Sequence, residues 1–111
     1  MSDRGIKLYV TDILEAIEKI GQYTAGMSFD AFEKDPKTID AVVRNIEVIG
    51  EAVSHIPIAL QLRHPKIPWK LIIGARNKAI HEYFGIDVSI LWKTVQDDLP
   101  PLKYEMKALM K

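Results

Sequence analysis

Two long stretches of this chain repeat their apolar residues every three or four positions, and that period fixes the fold class. In the first, Ile6, Val10, Ile13, Leu14, Ile17 and Ile20 fall on one side of a helix. Asp12, Glu15, Glu18 and Lys19 fall largely on the other. In the second, Ile39, Val42, Val43, Ile46, Ile49, Val53 and Ile56 make one apolar face. Many of these residues are β-branched, which favours strands, but the period is 3.6 and not 2. Arg44, Glu47 and Glu51 line another face of the second helix, at spacings that allow them to pair along it.

The punctuation between these stretches is equally helical. The first helix is predicted to end before Gly26. Ser28 suits the N-cap of a short helix through Phe32, with Met27 packing on Phe32. Asp35-Pro36 reads as an N-cap followed by proline at the first helical position. Pro57 marks a break or kink, Ile58 to Leu62 a further turn, and His64-Pro65-Lys66-Ile67-Pro68 a connection. A third helix is predicted from Trp69 to Phe84, capped by Gly85, with Gly74 inside it either as a place for close approach of another helix or as an interruption just before Arg76. Asp87 caps a fourth, with Ile90, Leu91, Val95 and Leu99 on its core side. Pro100-Pro101 should kink or divide that helix before a last segment from Leu102 to Met110. The expectation is an all-α protein: one domain over residues 1–111, an antiparallel up-and-down four-helix bundle with short extra helices.

Composition narrows the chemistry. The chain has no cysteine, which excludes disulfides, thiolate nucleophiles and Cys-based zinc sites and suits an intracellular, cytoplasmic protein. No apolar run approaches the ~20 residues of a membrane span, and the N-terminus has no apolar signal region. His55, His64 and His81 are widely spaced, so no metal site and no cofactor is expected. Fifteen basic residues balance fifteen acidic ones, which argues against a general nucleic-acid coat. The balance is uneven, however. From Pro57 to His81 there is no Asp or Glu, while Arg63, Lys66, Lys70, Arg76 and Lys78 all occur. That segment is either a footprint for a phosphate-bearing partner or a solvated basic face.

The basic segment ends in Gly74-Ala75-Arg76-Asn77-Lys78-Ala79-Ile80-His81-Glu82-Tyr83-Phe84-Gly85. On an ideal helix Tyr83 falls about 20° from Arg76, and Asn77 and His81 lie on the same arc with Ile80 and Phe84. A face of this kind is costly unless its polar groups are paired or used. Histidine exchanges a proton near neutral pH, and arginine offers a fixed charged fork that matches phosphate oxygens. Together they suit phosphodiester cleavage, in which a base takes the ribose 2′-hydroxyl proton and a cation stabilises the phosphorane. The bland alternative is a histidine that only packs. Trp69 and Trp92 read as core residues in preference to base-stacking platforms, and His55 and His64 as surface or helix-end residues.

The segment Arg76-Asn77-Lys78-Ala79-Ile80-His81-Glu82-Tyr83 resembles the R-x4-H-x-Y signature of HEPN-domain proteins, and more closely the HepT-like toxins of prokaryotic two-gene toxin–antitoxin modules. The similarity extends to Arg44 through Ala52, to Ile67-Pro68-Trp69, to Tyr83 through Asp87 and to Asp98-Leu99-Pro100. It implies a HEPN-type bundle that dimerises with the two motifs facing each other, and metal-independent endoribonuclease activity. It assigns His81 as general base or acid and Arg76 as the phosphate-binding residue. Asn77 would orient the site. Tyr83 would line it and accept AMP from a minimal nucleotidyltransferase antitoxin of the MntA type, with a higher assembly of the two proteins also open. Arg44, Glu47 and Glu51 would either steady the site from the neighbouring helix or form an exposed charged stripe. The rival reading is a non-catalytic binding or regulatory partner of a nucleotidyltransferase, with Arg76 and Tyr83 binding nucleotide or partner.

Overall fold

The structure, a computed structural model, describes residues 3–70, 72–74 and 87–110. Among these residues every regular element is helical and none is a strand. The first helix, α1, spans Asp3–Thr24. It buries Val10, Ile13, Ile17 and Ile20 of the expected stripe and Ala16 besides, with Ile6 and Leu14 partly buried against the core. The chain leaves α1 through Gly26, whose φ of 74° lies in the left-handed region that glycine adopts without strain. The Thr24 hydroxyl donates to the Ile20 carbonyl at 2.8 Å, and the Met27 N–H to the Thr24 carbonyl at 3.0 Å.

Helix α2, Phe29–Glu33, is a single short plug. The Ser28 hydroxyl accepts from the Ala31 N–H at 3.2 Å, as its sequence predicts, and Phe32 is fully buried. Phe32 meets the half-buried Trp92 ring, with centroids 4.9 Å apart. Helix α3, Pro36–Ser54, begins at Asp35, whose carboxylate accepts from the Thr38 N–H at 3.1 Å and from the Thr38 hydroxyl at 2.8 Å. These hydrogen bonds hold the Asp35 carboxyl below its ordinary pKa. Val42, Val43, Ile46, Ile49 and Val53 face inward, and α1 against α3 is the most extensive packing in the described fold. Asn45 is buried on this helix, and its side-chain amide donates to the Ala41 carbonyl one turn back.

Pro57 opens α4, Ile58–Arg63, whose junction with α3 is tied by the Gln61 amide donating to the Ile56 carbonyl at 2.9 Å. Residues 69–70 and 72–74 are helical; the remainder of the helix expected from Trp69 to Phe84, and its cap at Gly85, lie outside the described residues. Trp69 is a core residue, as expected, and so is Ile72. Gly74 is not a point of close approach, since a Cβ there would meet nothing within 4 Å.

Helix α5, Val88–Lys93, is capped by Asp87 accepting from the Ser89 N–H at 2.9 Å. Leu91, Val95 and Leu99 point into the core, whereas Ile90 is half exposed and does not. Ile90 sits about 100° from Leu91 on the helix, off the face that Leu91 and Val95 share. The paired prolines do not divide the fourth helix. The chain instead widens into a π-helical segment, Thr94–Asp98, and continues directly as α6, Leu99–Leu109, with Pro100 and Pro101 in its first turn. The Leu99 N–H bonds the Thr94 carbonyl, five residues back. A regular helix would press the Pro100 ring into the carbonyl four residues before it, and the wider turn relieves that clash. Leu102 and Met106 then close the core against α1.

Candidate functional site

The four motif residues Arg76, Asn77, His81 and Tyr83 lie outside the described residues. What the structure describes is the approach to them. The Trp69 indole N–H is within 3.1 Å of both the Gln61 and the His64 carbonyl, at the end of α4. The Ile72 N–H bonds the Pro68 carbonyl at 3.0 Å, so the helical residues 69–70 and 72–74 start from an anchored turn.

Arg44, Glu47 and Glu51 come together. They lie on one outward edge of α3 and line a depression of about 410 Å³ between α3 and α1. Spacings of three and four residues place them one above the other along about two turns. His55, the C-cap residue of α3, continues the row, and Tyr9 and Asp12 complete the wall from α1. The His55 ring stacks on Tyr9, with centroids 4.9 Å apart and planes within 4° of parallel. Its Nε2 lies 3.1 Å from the Glu51 carboxylate. The expected pairing of Arg44 with Glu47 or Glu51 is not formed; among the described residues Arg44 makes no ion pair. Arg44 is exposed, and water competes well with such surface pairs.

The depression therefore carries one open guanidinium, three carboxylates and a histidine held between a phenol ring and a carboxylate. Arginine can take an anion there, the histidine can exchange a proton, and the carboxylates make the whole acidic. Among the described residues no group of three His, Asp or Glu side chains is arranged to hold a metal ion. Tyr9, Asp12 and His55 are residues the sequence reading passed over for this site. The four-residue step from Glu51 to His55 was the available signal; the Tyr9 stack crosses between helices and leaves no local trace.

Comparison with known proteins places the chain. The family model described as "Ribonuclease HepT-like" matches residues 13–109. The chain belongs to the HepT-like ribonuclease family. It is 47% identical over 108 residues to a protein of Thermococcus cleftensis named probable ribonuclease HepT, covering 97% of this chain and 98% of that one. It is 41% identical over 102 residues to a candidate RNase of Caldanaerobacter subterraneus subsp. tengcongensis, covering 92% and 91%. A candidate RNase of Methanocaldococcus jannaschii is 38% identical over 107 residues, covering 96% and 98%. No solved structure matches significantly. The HepT-like helical bundle expected from the sequence agrees with the all-helical fold of the described residues. No described helix is long and apolar enough to cross a membrane.

Proposed function

We propose that this protein is the toxin of a prokaryotic toxin–antitoxin module, a cytoplasmic, single-domain endoribonuclease that cleaves RNA without a metal ion. The observation that carries this reading is membership of the HepT-like ribonuclease family across 13–109, a span that includes the whole R-x4-H-x-Y segment. In this reading His81 moves the proton of the ribose 2′-hydroxyl and Arg76 neutralises the phosphorane charge. Asn77 orients the scissile group and Tyr83 lines the cleft.

Cleavage by this route needs a base for the nucleophile and an acid for the leaving oxygen. One chain brings one motif histidine; two chains facing each other bring two. A homodimer is therefore part of the proposal, with Arg44, Glu47 and Glu51 supporting the site from α3. Control by a nucleotidyltransferase antitoxin, which the family resemblance implies, is physically consistent with the same chemistry. On an ideal helix Tyr83 lies close to Arg76, so AMP on its hydroxyl would place an anion where substrate phosphate must enter.

The test is RNA cleavage by purified protein in excess EDTA, wild type beside His81→Ala, with the mass of Tyr83 checked first. Cleavage that survives chelation and disappears in the variant is expected. An unmodified wild type that leaves RNA intact would instead favour a binding subunit of a nucleotidyltransferase.

A further inference from the structure

Helix α4 shows water two large aliphatic side chains, Ile58 at 72% and Leu62 at 76% of full exposure. They are four residues apart and so share one face of the helix. Beside them runs a groove of about 610 Å³, walled by Gln61, Leu62, Pro65 and Pro68 and floored by the buried Ile67 and Trp69. Two of its donors are already occupied. The Trp69 indole N–H is taken by two carbonyls, and the Gln61 amide by the Ile56 carbonyl. What the groove offers a ligand is apolar surface. Its surroundings are cationic: Lys70 lines it, Arg63 and Lys66 are exposed next in the chain to its lining residues Leu62, Pro65 and Ile67, and no Asp or Glu occurs from Pro57 to His81.

We propose that this face is a docking site for a second protein, through a segment whose apolar side chains are flanked by Asp or Glu. An amphipathic acidic helix would use both features, seating an apolar pair against Ile58 and Leu62 and setting its carboxylates against the three cations. A second copy of this chain fits less well. A two-fold contact brings the same patch onto itself, so Arg63, Lys66 and Lys70 would meet their own counterparts. RNA would look for an exposed aromatic face on which to stack, and the ring in this groove belongs to Trp69, which is 8% exposed. An anionic membrane would meet the two side chains and leave the recess beside them empty. The proposal uses none of the motif residues and stands apart from the nuclease reading.

Selection of short random peptides, displayed on phage, against the immobilised full chain tests it. Enriched peptides should carry apolar residues three or four apart, flanked by acids, and their synthetic forms should bind in fluorescence anisotropy. The double variant Ile58→Ser/Leu62→Ser, or Leu62→Ser alone, should weaken that binding about tenfold or more with helicity unchanged. Arg63→Glu/Lys66→Glu/Lys70→Glu should shift selection toward basic peptides. Failure to enrich, enrichment without charge preference, or binding that survives the serine variants would overturn the proposal. Phosphatidylglycerol vesicles and a single-stranded RNA serve as further probes. Binding of either that the double serine variant abolishes, in the absence of peptide binding, would assign the face to that ligand and sink the protein-partner reading.

Discussion

Replacing Trp69 by Phe tests how the approach to the Arg–His segment is held. Two losses combine. The indole N–H is shared between the Gln61 and His64 carbonyls, each at 3.1 Å. Both carbonyls keep another donor, since the His64 N–H reaches Gln61 at 3.1 Å and the Ile67 N–H reaches His64 at 3.2 Å. Losing the shared bond should therefore cost about 1 kcal/mol and not the larger penalty of an orphaned buried group. The smaller ring also leaves part of a site that is only 8% exposed unfilled, worth about 1–2 kcal/mol. The total of about 2–3 kcal/mol lowers the melting temperature by about 8–12 °C at roughly 4 °C per kcal/mol for a chain of this size. Urea unfolding followed by far-UV circular dichroism, at one fixed protein concentration, measures it directly. A loss below about 0.5 kcal/mol would refute the reasoning, because neither the shared hydrogen bond nor the ring would then be holding this turn.

Gly21 sits exposed inside α1, and a Cβ there would meet nothing within 4 Å; Gly21→Ala should raise stability by about 0.5–1 kcal/mol, and an unchanged or lower melting temperature would count against it. Burial, and then the neighbouring Asp97, hold the Asp98 carboxyl above its ordinary pKa, with Lys93 opposing them. The folded state thus binds that proton more tightly than the unfolded chain, so the penalty on the charged form is present above the raised value and vanishes as pH falls below about 4. Asp98→Asn should raise the melting temperature at neutral pH and lose that advantage in acid; an equal gain at both would contradict the assignment. Arg44→Ala, at an exposed position, should leave helicity intact and lower kcat/KM for RNA cleavage about tenfold if Arg44 supports the proposed site, and unaltered kinetics would remove it from that role.

Features that depend on neighbours in sequence were legible before the structure. The apolar stripes of α1 and α3 and the caps at Ser28, Asp35 and Asp87 all rest on interactions within one turn, and each is found. What escaped depends on geometry that local patterns do not carry. Consecutive prolines signal trouble for a helix, but whether the chain breaks or widens depends on what Leu99, Leu102 and Met106 gain by staying in the core. Ile90 matched the apolar count, yet the burial of Leu91 and Val95 fixes the rotation of α5 and turns Ile90 outward. The candidate site divides the same way. The Arg44–Glu47–Glu51 row was readable as one helix edge, whereas the Tyr9–His55 stack required knowing how α1 lies against α3.

The charges of this chain cancel in sum but not in place. Carboxylates gather at the α1–α3 depression, while exposed cations gather on α4 and the connection after it. RNA would be repelled by the first and drawn along the second. Three phosphate contacts from Arg63, Lys66 and Lys70 would give a log–log salt slope of about −2 for single-stranded RNA. Lys70 lines the apolar groove, and Arg63 and Lys66 adjoin its lining residues in the chain. An acidic segment seated against Ile58 and Leu62 would therefore compete with RNA for these cations and slow cleavage. Salt separates this competition from the proposed AMP modification of Tyr83: the competition loses its charge-based part as ionic strength rises, whereas a covalent modification does not.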